Sequence, residues 1–184
     1  MQRWLGTLGL VVLSTAACSK QRSQDQRQST ASGLWYIRTE LAPRETSVLG
    51  LPITDLDSTW ETGIVLSLAA LPPAAAEDSA TRPSSDFGYG LGGDFNHDGK
   101  PDSAVVGVYR SRTGSKGRFA LIVTRADRRW EKAFSVGMTG PTDVTFLARG
   151  RGDTLVWNDC VECDAPAVKI YWDGRKYIVK WEDE

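Results

Sequence analysis

The segment Asp94-Phe95-Asn96-His97-Asp98-Gly99-Lys100-Pro101-Asp102 is the stretch of this chain best equipped for chemistry. Oxygen-bearing side chains stand at its first, third, fifth and ninth positions, with glycine at the sixth. Hard cations of the calcium type gather roughly six to eight oxygen ligands around a tightly turned backbone. Asp94, Asn96, Asp98 and Asp102 can offer side-chain oxygens, and the main-chain carbonyl of Lys100 stands where such loops use a backbone ligand. Gly99 permits the sharp turn that bulkier residues resist. Carboxylates this close repel one another, and a cation relieves that repulsion. Magnesium demands stricter octahedral geometry, so Ca2+ is the expected cofactor. The bland alternative is an Asx-rich turn that holds no metal. His97, the one histidine, stands at a non-ligand position of the loop and is expected to be exposed rather than catalytic.

The cysteines carry a second set of possibilities. Cys160-Val161-Glu162-Cys163 is a closely spaced pair. Tetrahedral zinc needs four ligands, and the sequence offers too few nitrogen and sulfur donors beside this pair. A thiol–disulfide exchange site expects a helix after the first cysteine. Here Asp164, Pro166 and the strand-like run Val168–Trp172 follow, which favours a small structural disulfide in an oxidising compartment.

The elements that must position these groups read mostly as strands. Ser103–Arg110 and Arg118–Arg125 are rich in β-branched and apolar residues and flank a glycine-containing loop, the pattern of a hairpin. Trp130–Val136, Val144–Ala148, Thr154–Trp157, Val168–Trp172 and Tyr177–Trp181 follow, the last two joined at Asp173-Gly174. The expected fold is mainly β: an antiparallel meander, small sandwich or partial propeller-like domain, and not a closed propeller. Thr62–Leu71 reads as a buried strand or short helix, and Pro72–Ser85 as a Pro/Ala/Ser-rich loop. The tryptophans downstream of Trp4 are expected in the core or against the sheet.

The N-terminal residues read as an export signal. Met1 and Arg3 precede an uncharged run, Trp4–Ala17, that is shorter than the ~20 residues a spanning helix needs. Residues 1–17 are therefore expected to be a signal peptide. Ser14-Thr15-Ala16-Ala17-Cys18 resembles the lipobox of bacterial lipoproteins, with Thr15 where that family usually has leucine. The resemblance implies that Cys18 is lipidated and becomes the first residue of the mature, membrane-anchored chain. Ser19 after the cysteine implies outer-membrane delivery in a double-membraned bacterium. It also resolves the odd cysteine: Cys18 carries lipid, while Cys160 and Cys163 pair with each other. Residues 18–33 are polar and glutamine-rich, a lipidated start and tether with too little apolar surface to order itself.

Phe87-Gly88, Gly93-Asp94, Asp98-Gly99-Lys100-Pro101-Asp102 and Val105-Val106-Gly107 together resemble one FG-GAP or VCBS-type repeat. This is the calcium-loop repeat of integrin alpha-like propellers and of many bacterial surface proteins. The match covers about residues 86–108. It implies calcium held by Asp94, Asn96, Asp98, Lys100 through its main chain, and Asp102, between two strands. One copy does not imply a propeller. An EF-hand is excluded, because the position that needs glutamate is Val105 and a strand follows rather than a helix.

With 184 residues and a formal net charge of −1, the chain is not built as a whole for nucleic acid. The charge is uneven: Glu77, Asp78, Asp86, Asp94, Asp98 and Asp102 crowd one segment. Arg110, Arg112, Lys116, Arg118, Arg125, Arg128, Arg129 and Lys132 crowd the next. Such a basic hairpin either meets anionic headgroups or is simply a solvated face. The functional expectation is a non-enzymatic envelope lipoprotein, facing the periplasm or the cell exterior. Its residues 34–184 would form a calcium-stabilised β domain that serves binding or structure, with a protein or glycan partner. The rival is a secreted hydrolase or an accessory subunit of an envelope enzyme. No G-x-S-x-G or H-E-x-x-H motif supports it, though paired carboxylates can lie far apart in sequence.

Overall fold

A computed structural model describes residues 39–77, 84, 86–158 and 167–181. The signal segment, the tether, Cys18, Cys160 and Cys163 lie outside the described residues. The elements in chain order are β1 (Ser47–Val48), β2 (Leu51–Pro52), α1 (Ile53–Leu56), β3 (Trp60–Val65), a 3-10 turn (Leu68–Ala70) and α2 (Pro73–Glu77). There follow β4 (Phe87–Gly88), β5 (Gly90–Gly93), β6 (Asp102–Ser111), β7 (Lys116–Ala126), β8 (Arg129–Thr139), β9 (Phe146–Arg149), β10 (Leu155–Asn158), β11 (Val168–Trp172) and β12 (Tyr177–Trp181).

The fold is mainly β, and its strand pairs are antiparallel. One sheet runs β3-β6-β7-β8, with β5 also paired to β6; a second runs β12-β11-β10-β9-β4; β1 and β2 form a small hairpin. None of the three closes into a barrel. Period-two alternation splits β6 and β7 between two apolar clusters. Ala104, Val106, Val108, Ala120 and Ile122 join Phe146, Leu147, Leu155, Trp157 and Ile170 of the second sheet in a sandwich core. The intervening Val105, Tyr109, Phe119, Leu121 and Val123 face a smaller cluster completed by Val48, Ile53, Leu56 and Trp60. The first sheet is thus buried on both faces along β6 and β7, which explains why their sequences are nearly continuous in apolar residues rather than strictly alternating.

Trp60 stacks on Tyr109 with ring centroids 4.2 Å apart. Trp157 is buried and donates its indole N–H to Thr145 Oγ1 at 2.5 Å. Trp181, by contrast, remains exposed. The segment after Leu71 departs from the expected loop: residues 73–77 form α2. Pro73 takes the first helical position, where its missing N–H costs nothing, and the alanines after it are strong helix formers. Residues 62–71 resolve into the end of β3 followed by the 3-10 turn, which Ser67 caps by accepting from the Ala70 amide at 3.3 Å. Among the described residues, no helix is long and apolar enough to cross a membrane.

Candidate metal centre

The Asp94–Asp102 segment connects β5 to β6, whose ladder pairs Gly93 with Asp102 at its open end. The loop is therefore a hairpin connection standing on a paired base. Its shape is set by its own oxygens. Asp94 Oδ1 accepts from the Asp98 amide at 3.1 Å and its Oδ2 from the Gly99 amide at 3.0 Å. Asn96 Oδ1 also accepts from the Asp98 amide, at 3.1 Å, and Asp98 Oδ1 accepts from the Lys100 amide at 2.8 Å. These are Asx turns, in which a short polar side chain substitutes for a backbone acceptor. His97 and Gly99 take left-handed backbone angles, φ 57° and 78°, at the sharpest points. No Cβ contact would block a side chain at Gly99, so its value there is conformational.

Asp102 differs from the other acids. It is 3% exposed. Its Oδ2 accepts from the Phe95 amide at 2.9 Å and its Oδ1 from the Thr124 hydroxyl at 2.6 Å. Thr124 is the residue directly across the β6–β7 ladder from Asp102. The carboxylate therefore ties the loop's entry to the neighbouring strand. Phe95 is buried beside it, with the Arg149 guanidinium 5.7 Å over its ring. Arg149, on β9, also donates to the Gly92 carbonyl and sits 3.6 Å from Asp86, so the second sheet holds the base of the loop.

Tyr177, at the start of β12, approaches the same place from the C-terminal hairpin. The residue is 9% exposed, packed against Phe134 and Trp172 at centroid distances of 5.4 and 5.0 Å. Its hydroxyl is shielded from solvent and faces Asp102 without completing a hydrogen bond. Burial pushes this phenol well above its ordinary range, and the carboxylates of Asp102, Asp98 and Asp94 push it further. The tyrosine is thus a neutral group held next to the acids at any physiological pH.

The donor set suits a hard cation: carboxylate, amide and carbonyl oxygens, with no sulfur among them. Among the described residues, no three His, Cys, Asp or Glu side chains converge closely enough to hold a metal ion. The physical reason is visible in the bonds above. The loop oxygens turn onto the amides of residues 98–100, and Asp102 is committed to Phe95 and Thr124. Each carboxylate oxygen nevertheless has a second lone pair, and Asp98 Oδ2 receives no bond from the loop amides. His97 stands out in solvent, its Nε2 4.0 Å from Asp153 Oδ2. Thr124 and Tyr177 escaped the sequence reading, because only strand register and sandwich packing bring them to Asp102. No known protein family, curated protein or solved structure matches this chain.

Proposed function

We propose that this protein is a non-enzymatic, calcium-stabilised β module, exported and anchored to the bacterial cell envelope through lipid on Cys18. In this reading residues 1–17 are removed, residues 18–33 tether the domain, and the folded part serves as a binding or structural element of the envelope. The observation that carries the calcium half is the Asp94–Asp102 hairpin loop. Its oxygens sit on a backbone turned twice through left-handed angles, over a base fixed by Asp102. When bound, the cation would supply charge that offsets the mutual repulsion of Asp94, Asp98 and Asp102. The chain's own part is to hold that loop between two sheets. Asp94, Asn96, Asp98, Asp102 and the Lys100 carbonyl are the residues that would hold it. The anchoring half rests on the lipobox-like Ser14–Cys18 segment.

Two measurements test these halves separately. Calorimetric titration with Ca2+ should give one site of roughly 10⁻⁴–10⁻³ M affinity, the range of extracellular calcium modules. The absence of a heat that Asp98→Ala abolishes would defeat the calcium half. Growth with an alkyne-labelled palmitate should label the wild-type chain and leave Cys18→Ser unlabelled. Equal labelling of both chains would defeat the anchoring half.

A further inference from the structure

The basic residues that crowd the middle of the sequence separate into two groups in the fold. At the β6–β7 end two of them meet carboxylates. Arg110 pairs with Glu61 at 3.2 Å, and Lys116 pairs with Glu40 at 2.5 Å. Lys132, on β8 near the other end of the strands, is drawn inward to the carbonyls of Asp55 and Leu56. At the β7–β8 turn three arginines stand without a carboxylate. Arg125, Arg128 and Arg129 are exposed, and among the described residues no carboxylate lies within ion-pairing distance of any of them. The Arg125 guanidinium donates to the Asp127 carbonyl at 3.2 Å and lies 5.1 Å over the Trp130 ring.

These three arginines line an open cleft of about 500 Å³ together with Leu49, Leu51 and Trp130; Glu131 is the one acid in its wall. Leu49 is the odd residue. It occupies the first corner of the two-residue β1–β2 turn, with φ 51° followed by Gly50 at φ 79°. Such primed turns favour Asn, Asp or Gly at that corner, and a left-handed angle strains other residues. The side chain is also 38% exposed, so neither turn geometry nor core burial accounts for a leucine there. A strained, exposed apolar residue beside uncompensated guanidiniums and an indole is an amphipathic surface.

We infer that this cleft docks an anionic lipid surface, with Arg125, Arg128 and Arg129 on the headgroup phosphates and Leu49 and Trp130 at the acyl boundary. A free phosphate ion would use the arginines and leave Leu49 without a role. A lipid surface uses both: guanidiniums bind phosphate oxygens in a fork geometry, while a protruding leucine and an indole suit the interface below them. The cleft borders the calcium loop, since the Arg125 amide donates to the Pro101 carbonyl at 3.0 Å, but the contact uses none of the loop's oxygens and needs no lipid on Cys18.

The test is co-sedimentation of the full chain, carrying Cys18→Ser in every sample, with vesicles of phosphatidylcholine alone or mixed with phosphatidylglycerol. The parent chain should partition more strongly onto the phosphatidylglycerol vesicles. Replacing Arg128 and Arg129 together by glutamine should lower that partition roughly thirty-fold at low salt. Leu49→Asn should lower it severalfold while the melting temperature holds or rises, which separates docking from folding. Arg110→Gln with Arg112→Gln, at the far end of the strands, should change it little. Equal partition of the parent and the two cleft variants would overturn the proposal. So would an equal loss from the far-end pair, or saturable binding of inorganic phosphate to the cleft with no preference for anionic vesicles.

Discussion

Asp102 shows how a single side chain can belong to both a fold and a site. Its carboxylate is buried, and it carries one hydrogen bond from the loop and one from the next strand. Bonds to charged acceptors contribute about 1.5–3 kcal/mol each, and a buried donor left without a partner carries its own penalty. Asp102→Ala should therefore destabilise the domain by about 3 kcal/mol in urea unfolding, without calcium present. A loss below ~1 kcal/mol would mean that the Phe95 amide and Thr124 find other partners. Asp57 gives the pH-sensitive counterpart. The Thr59 hydroxyl and then the Thr59 amide, at 2.6 and 2.8 Å, hold its carboxyl below the usual range, with Lys132 adding to the effect. A depressed carboxylate contributes stability above its unfolded pKa of about 3.9 and loses that contribution as pH falls through the folded value. Stability should thus decline as pH drops below about 4, and Asp57→Asn should flatten that decline. Identical acid profiles for the two chains would contradict it.

The elements were legible in the sequence to different degrees, for identifiable reasons. β11 and β12 are read to the residue, because Asp173-Gly174 marks their turn and the carboxylate of Asp173 fastens it by accepting from the amides of Arg175 and Lys176. β6 and β7 are read as a hairpin but run longer than expected and leave a shorter turn at 112–115. Polar residues such as Ser111 and Lys116 gave no period-two signal, although the ladder still pairs Arg110 with Lys116. The loop after β5 is legible from its Asp and Asn spacing. Its supports are not: Thr124 reaches Asp102 by strand register, and Tyr177 by the packing of one sheet on the other. Period-two patterning says which face a residue takes and not which sheet it meets. This arrangement predicts that a cation in the loop is felt in the C-terminal hairpin. Hydrogen exchange with and without Ca2+ should slow at residues 94–102 and near Tyr177, and hardly change in β1 and β2. Protection confined to the loop would contradict that link. Tyr177→Phe should keep the fold and weaken calcium binding severalfold, an effect that titration of the two chains would reveal.

For the whole molecule, the uneven charge seen along the sequence becomes two neighbouring features at one end of the β6–β7 pair, where the Arg125 amide donates to the Pro101 carbonyl. Acids collect on the β5–β6 loop, arginines without a carboxylate partner among the described residues collect at the β7–β8 turn, and Arg110, Lys116 and Lys132 are tied to carboxylates or carbonyls. The near-zero net charge thus conceals an acidic loop and an arginine-rich turn, the features on which the proposed cation site and lipid contact rest. The proposed role requires that calcium in the Asp94–Asp102 loop stabilise the fold. The most direct measurement is thermal unfolding of the domain in 10 mM Ca2+ against EDTA, a concentration roughly ten times the weakest affinity expected of extracellular modules. Linkage then gives about 1.4 kcal/mol or more, a rise of about 3–6 °C in melting temperature for a domain of this size. The account predicts that rise for the wild type and its loss in Asp98→Ala; identical melts for the wild type in calcium and in EDTA would contradict it.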